Sequence, residues 1–181
     1  MIRLFLALTP PDSLRDTLTG LDQGLRGARW VPRENLHVTL RFIGEVEEGL
    51  AREIDQALMD LRVAPFSLTV LGLGLFGTGH RQRTLWAGVE KTPDLVRLKH
   101  KLDRVLDELG LEPDRRQYTP HITLARLDDP HPDRLRAYVE AHNLSVSHSF
   151  PVEAFSLFSS HLRRDGPLYT EEAVYPLGNG S

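Results

Sequence analysis

Along the chain, short stretches with apolar residues at alternate positions give way to longer ones in which leucines recur every three or four residues. Residues 3–8 are an apolar run suited to a buried strand. Pro11 then opens a helix whose Leu14, Leu18, Leu21 and Leu25 lie on one stripe. A strand containing His37-Val38-Thr39-Leu40 follows, then a helix over 47–61 with Leu50, Ile54, Leu58 and Leu61 aligned, and a strand over 66–75. Gly72 and Gly74 within that strand predict a bulge or a close approach of another chain segment.

The order then recurs. Residues 85–89 predict a strand, and Thr92-Pro93-Asp94 an N-cap with proline at the first helical position. Leu95, Leu98, Leu102, Val105, Leu106 and Leu109 mark the inner face of a helix that Gly110 ends. A strand at 121–124, a helix over 132–141 and strands over 150–158 and 168–175 complete the pattern. Strand, helix, strand, helix, strand, twice, predicts two α+β lobes related by approximate two-fold symmetry across a shared cleft. The whole of 1–181 is then one domain, with approximate halves 1–78 and 79–181 that can exchange a strand, and 77–82 as junction or loop.

Bulk properties narrow the classes. A chain of 181 residues buries enough surface to need no covalent staple. The absence of cysteine removes disulfides, thiolate nucleophiles and Cys-ligated metals. No apolar run reaches membrane-spanning length, and the first run reads as a strand rather than a leader, so a soluble, cytoplasmic monomer is expected. A net charge of −3 argues against a protein held to duplex DNA by phosphate neutralisation, while leaving room for one or two phosphates in a basic cleft.

Two tetrapeptides carry the candidate chemistry: His37-Val38-Thr39-Leu40 and His121-Ile122-Thr123-Leu124, 84 positions apart. In a strand, His and Thr of each share one face and the aliphatic residues the other. One such segment alone reads most simply as a surface or hydrogen-bonded core pair. Two in equivalent places of an apparent duplication predict a catalytic pair. Phosphodiester hydrolysis needs a base for the entering oxygen and an acid for the departing one, and two imidazoles supply both near neutral pH. Thr39 and Thr123 can donate to non-bridging oxygens. Arg126 can add a charge-assisted contact only if the strand bends near Ala125, because strict alternation would put it with Leu124 on the wrong face.

These segments resemble the 2H phosphoesterase superfamily, and within it the RNA 2′,3′-cyclic phosphodiesterases also called 2′-5′ RNA ligases. The resemblance is carried by residues 3–8, 36–44 and 118–126, and by Gly166-Pro167-Leu168-Tyr169 near the end. It implies a bilobal, duplicated α+β fold with two antiparallel-sheet lobes around a central cleft and helices on the outer faces. It further implies no required metal or other cofactor, and opening of 2′,3′-cyclic phosphates on RNA termini or small nucleotides to 2′-phosphates. It also implies His37 as proton donor to the departing 3′ oxygen and His121 as the base on water. Thr39, Thr123 and Arg126 would hold phosphate. From the residues alone the acid and base labels are interchangeable.

Phe42 is a candidate for a base or ribose contact, or else a core residue between Leu40 and Ile43; Arg115 and Arg116 either meet upstream phosphates or form a solvated turn. Trp30 and Trp86 read as core or cleft floor. A metal hydrolase using His37 and His121 with Asp128 or Asp129 lacks a compact ligand cluster, and His80, His100, His131, His142, His148 and His161 are scattered. The glycines of 72–77 lack the lysine of a triphosphate loop. A non-catalytic RNA-end binding module and a reversible 2′-5′ ligase stay open beside hydrolysis.

Overall fold

A computed structural model describes residues 1–178. Strands β1 (Ile2–Leu8), β2 (Ala28–Trp30), β3 (Val38–Val46), β4 (Phe66–Phe76), β5 (Thr84–Val89), β6 (His121–Leu127), β7 (Ser147–Val152), β8 (Ala154–Arg163) and β9 (Gly166–Pro176) form one antiparallel sheet ordered β7-β4-β5-β6-β3-β1-β8-β9, with β2 on β6. Helices α1 (Asp12–Thr19), α2 (Glu48–Met59), α3 (Pro93–Glu108) and α4 (Pro132–His142) bury their leucine stripes against it. The α+β class and outer helices are as expected. The two sheets are not separate: they join at the centre through the single pair Val38↔Ile122, the middle residues of the two tetrapeptides. No helix among the described residues is long and apolar enough to cross a membrane.

Chain order and sheet order differ. β4, from the first half, pairs with β5 and β7, while β8, from the second half, pairs with β1. Each wing of the sheet is therefore completed by a strand from the other end of the chain.

Local expectations hold where end signals are strong. The Thr92 side chain accepts from the Leu95 amide at 3.3 Å, with Pro93 behind it. At the far end Gly110 is left-handed, φ +86°, and the Leu111 and Gly110 amides reach the Leu106 and Asp107 carbonyls, a Schellman closure. The first helix is shorter than its leucine spacing predicts. It stops at Thr19, and Leu21 is buried from a turn instead, its carbonyl bonded by the Tyr138 hydroxyl. Two departures reflect chain breaks that periodicity does not mark: 150–158 divides at Glu153 into β7 and β8, and the three-residue β2 was not anticipated.

Candidate functional site

His37 and His121 sit at the waist of the sheet because Val38 and Ile122, both fully buried, pair there. Continuing that antiparallel register places His37 opposite Thr123 and Thr39 opposite His121. The four polar side chains thus occupy alternating corners of one small area.

Each ring is held the same way. His37 Nδ1 lies 2.7 Å from the Asn35 carbonyl, and His121 Nδ1 lies 2.7 Å from the Thr119 carbonyl. A carbonyl can only accept, so both Nδ1 atoms carry hydrogen and both Nε2 atoms are left for chemistry. His37 Nε2 is 2.9 Å from Thr39 Oγ1. With Nδ1 protonated in the neutral ring, that hydroxyl donates to Nε2. Asn35 is itself anchored, its side-chain amide donating to the Pro167 carbonyl at 3.1 Å.

Aromatic rings frame both imidazoles. His37 packs on Phe5 at 5.1 Å and meets Tyr169 edge-on at 5.4 Å and 87°. His121 meets Phe76 edge-on at 4.9 Å and 86°, with Trp86 tilted beneath at 6.1 Å. The Trp86 floor depends on Gly74, whose added Cβ would fall 2.1 Å from the indole. Gly72, at φ +73°, lies where the β4–β5 register shifts between Val70 and Leu73, the predicted bulge.

Two further bulges decide which residues reach the cleft. Across β5–β6, Leu85 pairs with Ala125 and Trp86 with Thr123, leaving Leu124 as an extra residue. Leu124 and Ala125 are both buried and Arg126 is exposed. The strand bends where the sequence required it to, and Arg126 turns to the face of His121 and Thr123. Across β1–β3, Leu6 pairs with Arg41 and Ala7 with Thr39, leaving Leu40 as the extra residue. Leu40 and Arg41 are both buried, and Phe42 turns out, 57% exposed, over Phe5 at 6.1 Å. Phe42 is therefore not a core residue. It occupies in one wing the register position of Arg126 in the other.

The loop before the second motif is pinned from below. Buried Arg41 donates to Asp103 at 2.8 Å, to the Glu112 carbonyl at 2.5 Å and to the Phe42 carbonyl at 3.2 Å. Lys99 joins Asp103 at 2.9 Å to Asp114 at 3.3 Å, and its ammonium lies 5.4 Å from the Tyr118 ring centroid. The Tyr118 hydroxyl donates to the Thr39 carbonyl at 2.9 Å, tying the loop to the first motif. Arg116 pairs with Asp114 at 3.3 Å and borders a hollow of about 300 Å³ with Thr39, Phe42, Phe76, Tyr118 and His121. Arg115 is exposed and lines no part of that hollow.

Burial lowers the His37 pKa first; the Asn35 carbonyl opposes this by favouring the charged ring, and nearby His121 adds to the lowering. For Asp114 burial would raise the pKa, but the Arg116 amide, Lys99 and the Arg116 guanidinium together carry it below the ordinary value. Burial raises the Tyr169 phenol, and Arg126 partly offsets it, which places guanidinium and phenol in electrostatic reach of each other. Among the described residues no three His, Asp or Glu side chains converge as metal ligands. The remaining histidines are dispersed, His80 beside Asp129, His142 on Tyr138 and His148 near Ser13.

Residues 10–164 match the family described as the 2′-5′ RNA ligase superfamily, and the RNA 2′,3′-cyclic phosphodiesterase of Methanothermobacter thermautotrophicus is 35% identical over 97% of this chain and 99% of that one. The chain belongs to the RNA 2′,3′-cyclic phosphodiesterase family of that superfamily. The Thermotoga maritima RNA 2′,3′-cyclic phosphodiesterase is 33% identical over 93% of this chain and 91% of its own. Among solved structures, TT0787 of Thermus thermophilus superposes with a TM-score of 0.81 at 30% identity, covering 97% of both chains. E. coli LigT complexed with 3′-AMP superposes with a TM-score of 0.79 at 27% identity, covering 98% of this chain and 99% of that one.

Of the residues singled out from sequence, Thr39, Phe42, Arg116 and His121 line the hollow, His37 adjoins it through Thr39, Thr123 and Arg126 follow His121 on the same strand, and Arg115 lines no part of it. Sequence reading did not find Tyr118, Phe76 or the Arg41–Asp103–Lys99–Asp114 chain. Phe76, set between Gly74 and Gly77, carried a weak signal. The two carbonyl tethers carried none, because they come from backbone atoms of unlike residues, Asn35 and Thr119.

Proposed function

We propose that the chain opens RNA 2′,3′-cyclic phosphate ends to 2′-phosphates, with His37 as proton donor and His121 as proton acceptor. Water adds to phosphorus as His121 Nε2 takes its proton, and the P–O3′ bond breaks as His37 Nε2 delivers a proton to the 3′ oxygen. Thr39, Thr123 and Arg126 hold the non-bridging oxygens, where negative charge builds. The single observation that carries the reading is the pair of imidazoles with identical Nδ1 tethers, each next to a threonine, flanking the Val38–Ile122 strand pair that joins the wings. Family membership supports the bond chosen.

Before substrate binds, half-buried His37 favours its neutral form and accepts from Thr39. An arriving phosphate anion reverses both conditions. Its charge stabilises the imidazolium, and the Thr39 hydroxyl rotates toward a phosphate oxygen. Phe42 offers a face for a base or ribose, and Arg116 an upstream phosphate contact at the rim. We read the two wings as duplicated units with exchanged strands, because the bulges after Thr39 and Thr123 fall at the same register position.

The test is product analysis of a defined RNA bearing a 2′,3′-cyclic end, with excess EDTA present. The expected product is the 2′-phosphate alone. A 3′-phosphate product, an unchanged cyclic end, or activity that returns only with added metal overturns the reading.

A further inference from the structure

The aromatic rings that meet the two histidines edge-on differ in polarity, Tyr169 at His37 and Phe76 at His121. His37 and His121 are each met edge-on by an aromatic ring at nearly a right angle, Tyr169 at 87° and Phe76 at 86°. The Phe76 edge is purely apolar. The Tyr169 ring carries a hydroxyl that has no hydrogen-bond partner among the described residues, while its ring packs edge-on to Phe5 at 4.9 Å. It is half-buried beside His37 and lies within electrostatic reach of Arg126 on the opposite wing.

The placement is built rather than incidental. β9 begins at Gly166, and the Pro167 carbonyl accepts from Asn35, whose own carbonyl accepts from His37 Nδ1. One short chain of hydrogen bonds therefore sets the start of β9 and the His37 ring together, and Tyr169 follows two residues later on the edge strand. A donor without a partner among the described residues, a guanidinium within electrostatic reach and a protonatable imidazole beside it would together suit one anionic group. Phe76 cannot take such a part at His121.

We propose that the Tyr169 hydroxyl is a phosphate-contacting, catalytic group that donates to the non-bridging oxygen held by Arg126, so that the anion sits closer to His37 than to His121. This rests on the cyclic-phosphate reading above and extends it to a residue outside the two motifs. Burial keeps the phenol protonated throughout the working pH range, so it acts as a donor and never as the general base. The contact also distinguishes two histidines that the strand register treats alike: the anion drawn to the Tyr169 side helps His37 gain the proton it delivers.

Tyr169→Phe keeps the ring and removes only the hydroxyl. In the full chain it is expected to lower kcat/KM on a 2′,3′-cyclic mononucleotide by about 10- to 100-fold, the size of a lost hydrogen bond to a charged oxygen. Inorganic phosphate, measured by calorimetry without turnover, should bind about tenfold or more weakly, with the melting temperature unchanged. Tyr169→Ala tests the packing explanation: if the ring alone mattered, Phe would restore activity that Ala loses. Wild-type kcat/KM and phosphate affinity in Tyr169→Phe overturn the proposal. If the parent chain fails to open cyclic phosphates at all, the functional reading falls, and the phosphate titration still decides whether Tyr169 holds an anion.

Discussion

Replacing Arg41 by Met tests whether the buried charge chain holds the cleft together. Arg41 is 4% exposed and uses its guanidinium on one carboxylate and two carbonyls. Each bond to a charged donor has a net worth of about 1.5–3 kcal/mol, and relief from burying the cation offsets part of the sum. Asp103 is not orphaned, because Lys99 remains 2.9 Å away. The loss should therefore fall below the full cost of stranding a buried charge, at about 2–3 kcal/mol. For a domain of this size that corresponds to a drop of roughly 4–12 °C in melting temperature. Thermal and urea unfolding of Arg41→Met, Asp103→Asn and the double variant should also give a favourable coupling between the two sites. Because Arg41 grips the Glu112 carbonyl, turnover at a temperature well below melting should fall as well, through looser placement of Tyr118 and His121. A variant that melts within a degree of the parent and turns over normally would refute the structural role assigned to Arg41.

Three further outcomes are expected. If His37 is the acid, activity is lost as pH rises through its pKa; that value is lowered in the free protein, so the alkaline limb of kcat/KM should lie below pH 6.5 and that of kcat higher, because bound anion favours the imidazolium. Coincident limbs above 6.5 would contradict this, whereas stability should decline as pH falls below 6.5, where the unfolded chain takes the proton more readily than half-buried His37. Thr39→Val and Thr123→Val should each reduce kcat/KM by about 10- to 100-fold, less than His37→Ala or His121→Ala, as measured on a cyclic mononucleotide. Gly74→Ala should destabilise by about 1–3 kcal/mol and reduce activity, since the new methyl displaces Trp86 from beneath His121; an unchanged urea midpoint would show that the indole has room to move.

The shared face of histidine and threonine in each motif was legible because it needs only period-two geometry. Thr92, Pro93 and Gly110 were legible for a similar reason: each acts on its own few residues. The arrangement of the sheet was not, because pairing β4 with β5 and β8 with β1 depends on which edges meet after the chain has turned back. The Leu25 end of the first apolar stripe misled because periodicity continues through a turn: the helix has ended by Gly20, while Leu21 still finds the core. The Arg41 network was hidden as well, since Arg41, Lys99, Asp103 and Asp114 lie in three separate segments and look like ordinary surface charges.

Arg126 and Phe42 show how one extra residue converts a regular strand into a directional site. Strict alternation would bury both with Leu124 and Leu40. A bulge immediately after each motif threonine instead takes up two successive buried positions, Leu124-Ala125 and Leu40-Arg41, and reverses the side that follows. The two wings use that reversal differently. One presents a guanidinium beside Thr84, the other an aromatic face above Phe5. A ligand with one anionic group joined to one flat ring therefore has a preferred direction across a waist whose histidines and threonines are otherwise matched. On this account Phe42→Arg should weaken discrimination between cyclic nucleotides and inorganic phosphate, because both wings would then offer a cation where one now offers a stacking surface.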